Sequence, residues 1–153
     1  MDCLAKNLRE MMKAISGRGF DKVLEKVTLV SATPGKLVCE MKVEDGHANK
    51  YGTLHGGMTA TLVDNISTLA LLSVEGGAPG VSVDMNITYM SPAKIGEEIV
   101  ITAYVLKQGK TLAFTSVDVT KKATGKLVAR GRHTKHVGST EYQTITKVPD
   151  SKH

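Results

Sequence analysis

The sequence predicts an α+β domain in which one long, almost uncharged helix lies across an antiparallel sheet. Three observations carry that expectation. The segment Gly56–Val74 holds one charged residue, Asp64, and is apolar around most of its circumference, so it must be buried in the middle of something. The runs 37–43 and 81–89 alternate apolar with polar residues at period two, as strands covered on one face do. Four strand-like runs then follow the helix in succession, separated by turn signals, which favours antiparallel pairing.

The elements follow in order. Leu4, Leu8, Met11, Met12 and Ile15 recur at helical spacing, predicting an amphipathic first helix within residues 1–19 that packs on the domain. Val23–Ser31 reads as a strand, Pro34-Gly35 as a turn, and 37–43 as the partner strand of a hairpin. Glu44–Leu54 is a polar loop, followed by the helix 56–74, which Gly76–Gly80 ends. Val81–Tyr89 is a strand with one apolar and one polar face. Glu98–Leu106 and Thr111–Thr120 form a hairpin through Lys107–Lys110, and Thr124-Gly125 turns the chain into a last strand, 126–136. The main domain thus spans 20–137, and residues 138–153 are expected to form a loose tail.

Composition narrows the function. At 153 residues the chain fits one domain, and it can bury roughly two-thirds of its unfolded surface. Aromatics are 4% with no Trp, so the core must rest on aliphatic residues. The net charge of +5 suggests an anionic partner. Nucleic acid fits poorly, because stacking platforms are few and no run of five Lys/Arg occurs. Cys3 and Cys39 form neither a disulfide framework nor a metal motif, as expected of a reduced, intracellular protein. No apolar stretch approaches the roughly 18 residues of a membrane span. Asp2 and Glu10 argue against a mitochondrial address in the first helix.

Three groups of residues could do chemistry. His55-Gly56-Gly57 opens the long helix. There glycines allow close approach, and the first N–H groups lack partners and carry the positive end of the helix dipole, so an oxyanion would be stabilised. Asp64 lies among Ala60, Leu62, Val63, Ile66 and Leu69. It reads either as a structural acid bonded to a nearby hydroxyl such as Thr61, Ser67 or Thr68, or as a general base or nucleophile. The third group is the basic hairpin around Lys107 and Lys110, with His133, Lys135 and His136 on the last strand; His133 and His136 are expected on a solvated strand. Nucleophile-elbow, phosphate-loop and zinc-protease motifs are absent. Gly56 and Asp64 stand roughly 12 Å apart along one helix, too far to serve one reacting atom. If both are catalytic, two antiparallel copies must share each site.

The run from Asn49 through His55-Gly56-Gly57, then Asp64-Asn65, resembles the active-site signature of hotdog-fold acyl-coenzyme A thioesterases. The longer segments "GVSVDMNITYMSPAKIGE" and "VLKQGKTLAFTSVDV" extend the likeness over roughly residues 4–137. The resemblance implies a curved antiparallel sheet wrapped round a long central helix, paired into a homodimer or homotetramer. It implies Asp64 as general base or nucleophile, Gly56 and Asn49 holding the thioester carbonyl, His55 positioning it, and Ser82 assisting Asp64 and water. Ser82, Met85, Tyr89, Lys107, Gln108, Gly109, Lys110, Thr111, Leu112 and His136 would contact the substrate. That substrate would be a medium- or long-chain fatty acyl-coenzyme A, with no separate cofactor and no metal. A phosphatidylcholine transfer protein is the implied partner, and the location is cytoplasmic or mitochondrial. Two other readings differ in kind: a non-catalytic lipid-sensing module, and a hotdog dehydratase using His55. A pure binder has no need of Asp64, and its pairing with Gly56 favours hydrolysis over dehydration.

Overall fold

In the computed structural model, residues 2–138 are described. They run α1 (Cys3–Ile15), a 3-10 turn (Phe20–Leu24), β1 (Thr28–Thr33), β2 (Lys36–Lys42), a short 3-10 turn (Asp45–His47), α2 (Gly56–Leu72), β3 (Val81–Tyr89), β4 (Glu98–Gln108), β5 (Leu112–Lys121) and β6 (Leu127–His136). Residues 139–153, most of the expected tail, lie outside the described part.

The Asp2 side chain caps α1 by accepting from the Leu4 N–H at 3.2 Å. Its apolar face, led by buried Ala5 and Leu8, packs on the core, and Arg9 donates to the Leu29 carbonyl of β1 at 3.0 Å. The expected strand at Val23–Ser31 is corrected here. Gly19, at φ 70°, turns the chain into the 3-10 turn, and β1 begins only at Thr28. Leu24 and Val27, buried three residues apart, fit the spacing of a helical turn and not the alternation of a strand.

The described strands form one antiparallel sheet in the order β1-β2-β4-β5-β6-β3. Across β2 and β4, Leu37 pairs with Ala103, Cys39 with Ile101 and Met41 with Ile99, all buried. Helix α2 lies against strands β2 to β6, so the sheet wraps round it, as in the hotdog fold. Leu62, Ile66, Leu69 and Leu71 of α2 are fully buried, each stabilising the fold by roughly 1.5–3 kcal/mol. Burial pushes the Cys39 thiol up to about 12, so at neutral pH it is a packed apolar group and no nucleophile.

Gly131 of β6 sits directly beneath Val63 of α2. A Cβ there would stand 2.8 Å from Cγ1 and 2.9 Å from Cγ2 of that stiff side chain. Gly131→Ala should therefore lift α2 off the sheet, costing about 1–3 kcal/mol. Calorimetry should show a thermal midpoint several degrees lower, and an unchanged midpoint would mean that the helix packs more loosely than its geometry indicates.

Two strand details differ from the sequence pattern. Lys107 and Gln108 belong to β4, so the hairpin turn is Gly109–Thr111. Strand β3 stands at the sheet edge, and in the single chain its apolar residues are open: Val83 is 58% exposed and Tyr89 56%. β3 also carries a bulge. Ser82 pairs with Lys135 and Asp84 with Thr134, leaving Val83 extra. Strict alternation would put Ser82 and Met85 on opposite faces. The bulge turns both toward α2, since their partners Lys135 and His133 both reach that helix.

Candidate active site

The start of α2 is set by the loop before it. Buried His47, which the sequence pattern did not single out, accepts from the Glu44 N–H through Nδ1 at 3.1 Å, and its carbonyl accepts from the His55 N–H at 2.8 Å. Asn49 Oδ1 accepts from the Tyr51 and Thr53 N–H groups at 2.9 and 3.2 Å, closing the turn whose Gly52 has φ 75°. His55 caps α2: its Nδ1 accepts from the Gly57 N–H at 2.8 Å, which leaves Nε2 to carry the ring hydrogen. Gly56 is the first helical residue, and among the described residues its N–H meets no acceptor. Tyr89 donates its hydroxyl to the Gly56 carbonyl at 2.8 Å, tying the helix start to β3.

Two turns further along α2 lies Asp64. It is less buried than its apolar neighbours suggest, its side chain being 48% exposed in the single chain. The hydroxyls that could have made it structural are engaged elsewhere. Thr61 donates to the Gly57 carbonyl, and Ser67 and Thr68 donate to the backbone carbonyl of Asp64. The carboxylate faces His133, whose Nε2 lies 3.9 Å from Oδ1.

His133 is fully buried, which corrects the expectation of a solvated strand. Its hydrogen positions follow from its partners. The single hydroxyl hydrogen of Ser67 goes to the Asp64 carbonyl at 3.0 Å, so His133 Nδ1, 2.8 Å from Ser67 Oγ, must be the donor there. Burial, then the nearby Lys135 charge, holds the ring's pKa below its usual value and keeps it neutral. Nε2 is therefore bare and accepts from the Ser82 hydroxyl at 2.7 Å. With its hydrogen spent on His133, Ser82 offers only lone pairs to the open site beside Asp64. A water there would donate one hydrogen to Ser82 and the other to the carboxylate.

The remaining candidates gather at the far end of β6. His136 pairs with both Val81 and Leu112, and the Val137 N–H donates to the Thr111 carbonyl at 2.8 Å. Lys107, Gln108 and Lys110 are exposed on the hairpin beside them. One chain thus brings together Asn49, His55, Gly56 and Tyr89 in one group, Asp64, Ser82 and Met85 with His133 and Lys135 in a second, and the hairpin with His136 in a third. Gly56 and Asp64 stay in separate groups. Among the described residues no cluster of His, Cys, Asp or Glu could hold a metal ion.

Comparison with known proteins gives these groups a context. Residues 51–128 match the family model described as the thioesterase superfamily. The chain is 74% identical to acyl-coenzyme A thioesterase 13 of Mus musculus over 140 residues, covering 91% of this chain and 100% of that protein. The crystal structure of thioesterase superfamily member 2 from Mus musculus superposes with a TM-score of 0.84 at 73% identity, over 90% of this chain and 100% of that one. A thioesterase protein from Streptococcus pneumoniae, solved with coenzyme A, is 29% identical with a TM-score of 0.74, over 82% of this chain and 95% of that one.

Proposed function

Since this chain belongs to the thioesterase superfamily and is an acyl-coenzyme A thioesterase, we propose that it hydrolyses medium- and long-chain fatty acyl-coenzyme A at a site shared between two copies. The observation that carries the proposal is the half-open Asp64 carboxylate beside a Ser82 hydroxyl whose hydrogen is already spent. The unpartnered Gly56 N–H, with Asn49 and the Nε2–H of His55, would polarise the thioester carbonyl as an oxyanion hole does. Asp64 of the other copy would attack that carbonyl, or deprotonate a water that does, while Ser82 orients the water. Coenzyme A leaves as half of the substrate, so no cofactor and no metal enter the scheme.

Two observations support the shared site. The roughly 12 Å between Gly56 and Asp64 separates the two halves along one helix. The open edge of β3, with Val83, Met85 and Tyr89 exposed, is a template for a second copy. The proposal therefore includes a homodimer or homotetramer. Association with a phosphatidylcholine transfer protein and a cytoplasmic or mitochondrial location belong to it too, carried by the resemblance alone.

A panel of acyl-coenzyme A substrates, read as free thiol released, tests the chain-length reading. The kcat/KM should rise from acetyl to medium and long chains, and a preference for acetyl would overturn it. Lys107 and Lys110 would meet the phosphates of coenzyme A. Such contacts act alike in ground and transition states, so Lys110→Ala should raise KM several-fold with a smaller change in kcat. An unchanged KM would place the phosphates elsewhere.

A further inference from the structure

Lys135 takes no part in the chemistry described so far, yet lysine is almost never fully buried without a partner. It is 5% exposed, and its ammonium donates to Thr68 Oγ1 at 2.7 Å. Thr68 has given its own hydrogen to the Asp64 carbonyl at 2.8 Å, so its lone pairs are free for the lysine. The ammonium is thereby fixed one helical turn beyond Asp64, on the inner face of the sheet.

We propose that Lys135 is a positioning residue, a fixed buried charge that holds His133 as the acceptor for Ser82 and the Asp64 carboxylate in its place facing the ring. This rests on the reading of Asp64 as the reacting acid. The groups facing the pair are few. On α2 they are Asp64 with Ser67 and Thr68, on β3 Ser82 and Met85, and on β5 Ala113 and Thr115, neutral partners of Lys135 and His133. Asp84 pairs with Thr134 and acts on His133 from a distance. Burial lowers the pKa of Lys135, and the Asp64 charge opposes that.

The sign follows from the hydrogen bonds. A proton added to His133 would sit on Nε2, which now accepts from Ser82. The ring would then donate, Ser82 would have to turn its hydrogen toward the site, and the new cation would pair with Asp64 at 3.9 Å. Both changes disable the acid. The positive charge of Lys135 opposes that protonation, so removing it should let His133 charge at higher pH.

Full-length Lys135→Met and Lys135→Arg test the proposal in two ways. One is the pH dependence of kcat/KM for acyl-coenzyme A; the other is the His133 titration followed by ¹⁵N–¹H NMR. In Lys135→Met both the acidic limb and the His133 titration should move up by roughly one pH unit. Activity should fall several-fold near pH 6 and recover above pH 8, and Lys135→Arg should restore the original profile. If Lys135→Met does not fold, Lys135→Gln, which keeps a donor for Thr68 and loses the charge, is measured instead. An unmoved His133 titration in either folded neutral variant would overturn the proposal, and a titration that moves without the acidic limb would overturn its link to catalysis. Failure of the Asp64 reading shows separately, as an Asp64→Asn enzyme that still turns over while the His133 titration responds to Lys135.

Discussion

Asp64→Asn should lower kcat by at least about 100-fold while substrate still binds. The amide has nearly the same volume, and the carboxylate oxygens hold no hydroxyl or backbone group whose loss would disturb the fold, since Ser67 and Thr68 bond the backbone carbonyl instead. What disappears is a group that can attack the thioester or take a proton from water. Loss of a general base alone typically costs about 10²–10⁴ in rate, and loss of a nucleophile can cost more. Steady-state kinetics with thiol detection would measure it, alongside binding of coenzyme A to the variant. Single turnover in ¹⁸O-water, with a search for label in Asp64, separates direct attack from general-base action. A folded Asp64→Asn enzyme working at near the original rate would show that the acid is structural.

Gly56→Pro should remove the other half of the machinery while sparing the helix. Proline is well tolerated at the first helical position, where its missing N–H has no intrahelical partner anyway. His55 already has φ −63° and ψ 133°, a conformation that a following proline accepts. The N–H proposed to polarise the carbonyl would be gone, and loss of one such donor costs about 10²–10³ in kcat. The same variant tests the shared site. Gly56→Pro and Asp64→Asn chains, each nearly inactive, should regain activity when refolded together, because each hybrid pair contains one intact Gly56–Asp64 combination. No recovery in a mixture shown to form hybrids would defeat the two-chain arrangement.

Much of this architecture could be read from residue patterns, for reasons that particular residues make plain. Asp64 is the one charge in an otherwise uncharged helix, so it stands out by contrast. The helix starts at Gly56, and β3 spans Val81–Tyr89 as the period-two pattern has it. What stayed hidden were the polar residues on a covered face. Along β6, His133 reads as part of a solvated strand with Lys135 two residues on, because hydropathy cannot tell a lysine facing water from one pinned under a helix. The burial of His133 and Lys135 follows from β6 lying between β5 and β3 with α2 above it, a matter of sheet order rather than local pattern. The start of β1 was hidden because Val23, Val27 and Leu29 share one count of a period-two pattern, while Leu24 and Val27 have the spacing of a helical turn. The Val83 bulge carried no signal, since neither glycine nor proline marks it.

That bulge works as a parity switch in the chain. A strand assigns its side chains to two faces by odd and even count, and one surplus residue exchanges the assignment for everything on one side of it. Tyr89, Ile87 and Met85 keep one count, while Ser82 keeps the other, so one strand aims groups from both counts at the same helix. The composition of the site is therefore indifferent to the bulge, but the direction of Ser82 is not. A strand that kept Val83 in regular pairing would retain every proposed catalytic group and point its serine at the wrong side of the sheet. A chain shortened by Val83 would instead leave Ser82 and Met85 two positions apart and on one face, so the surplus residue and the bulge that absorbs it are constrained together.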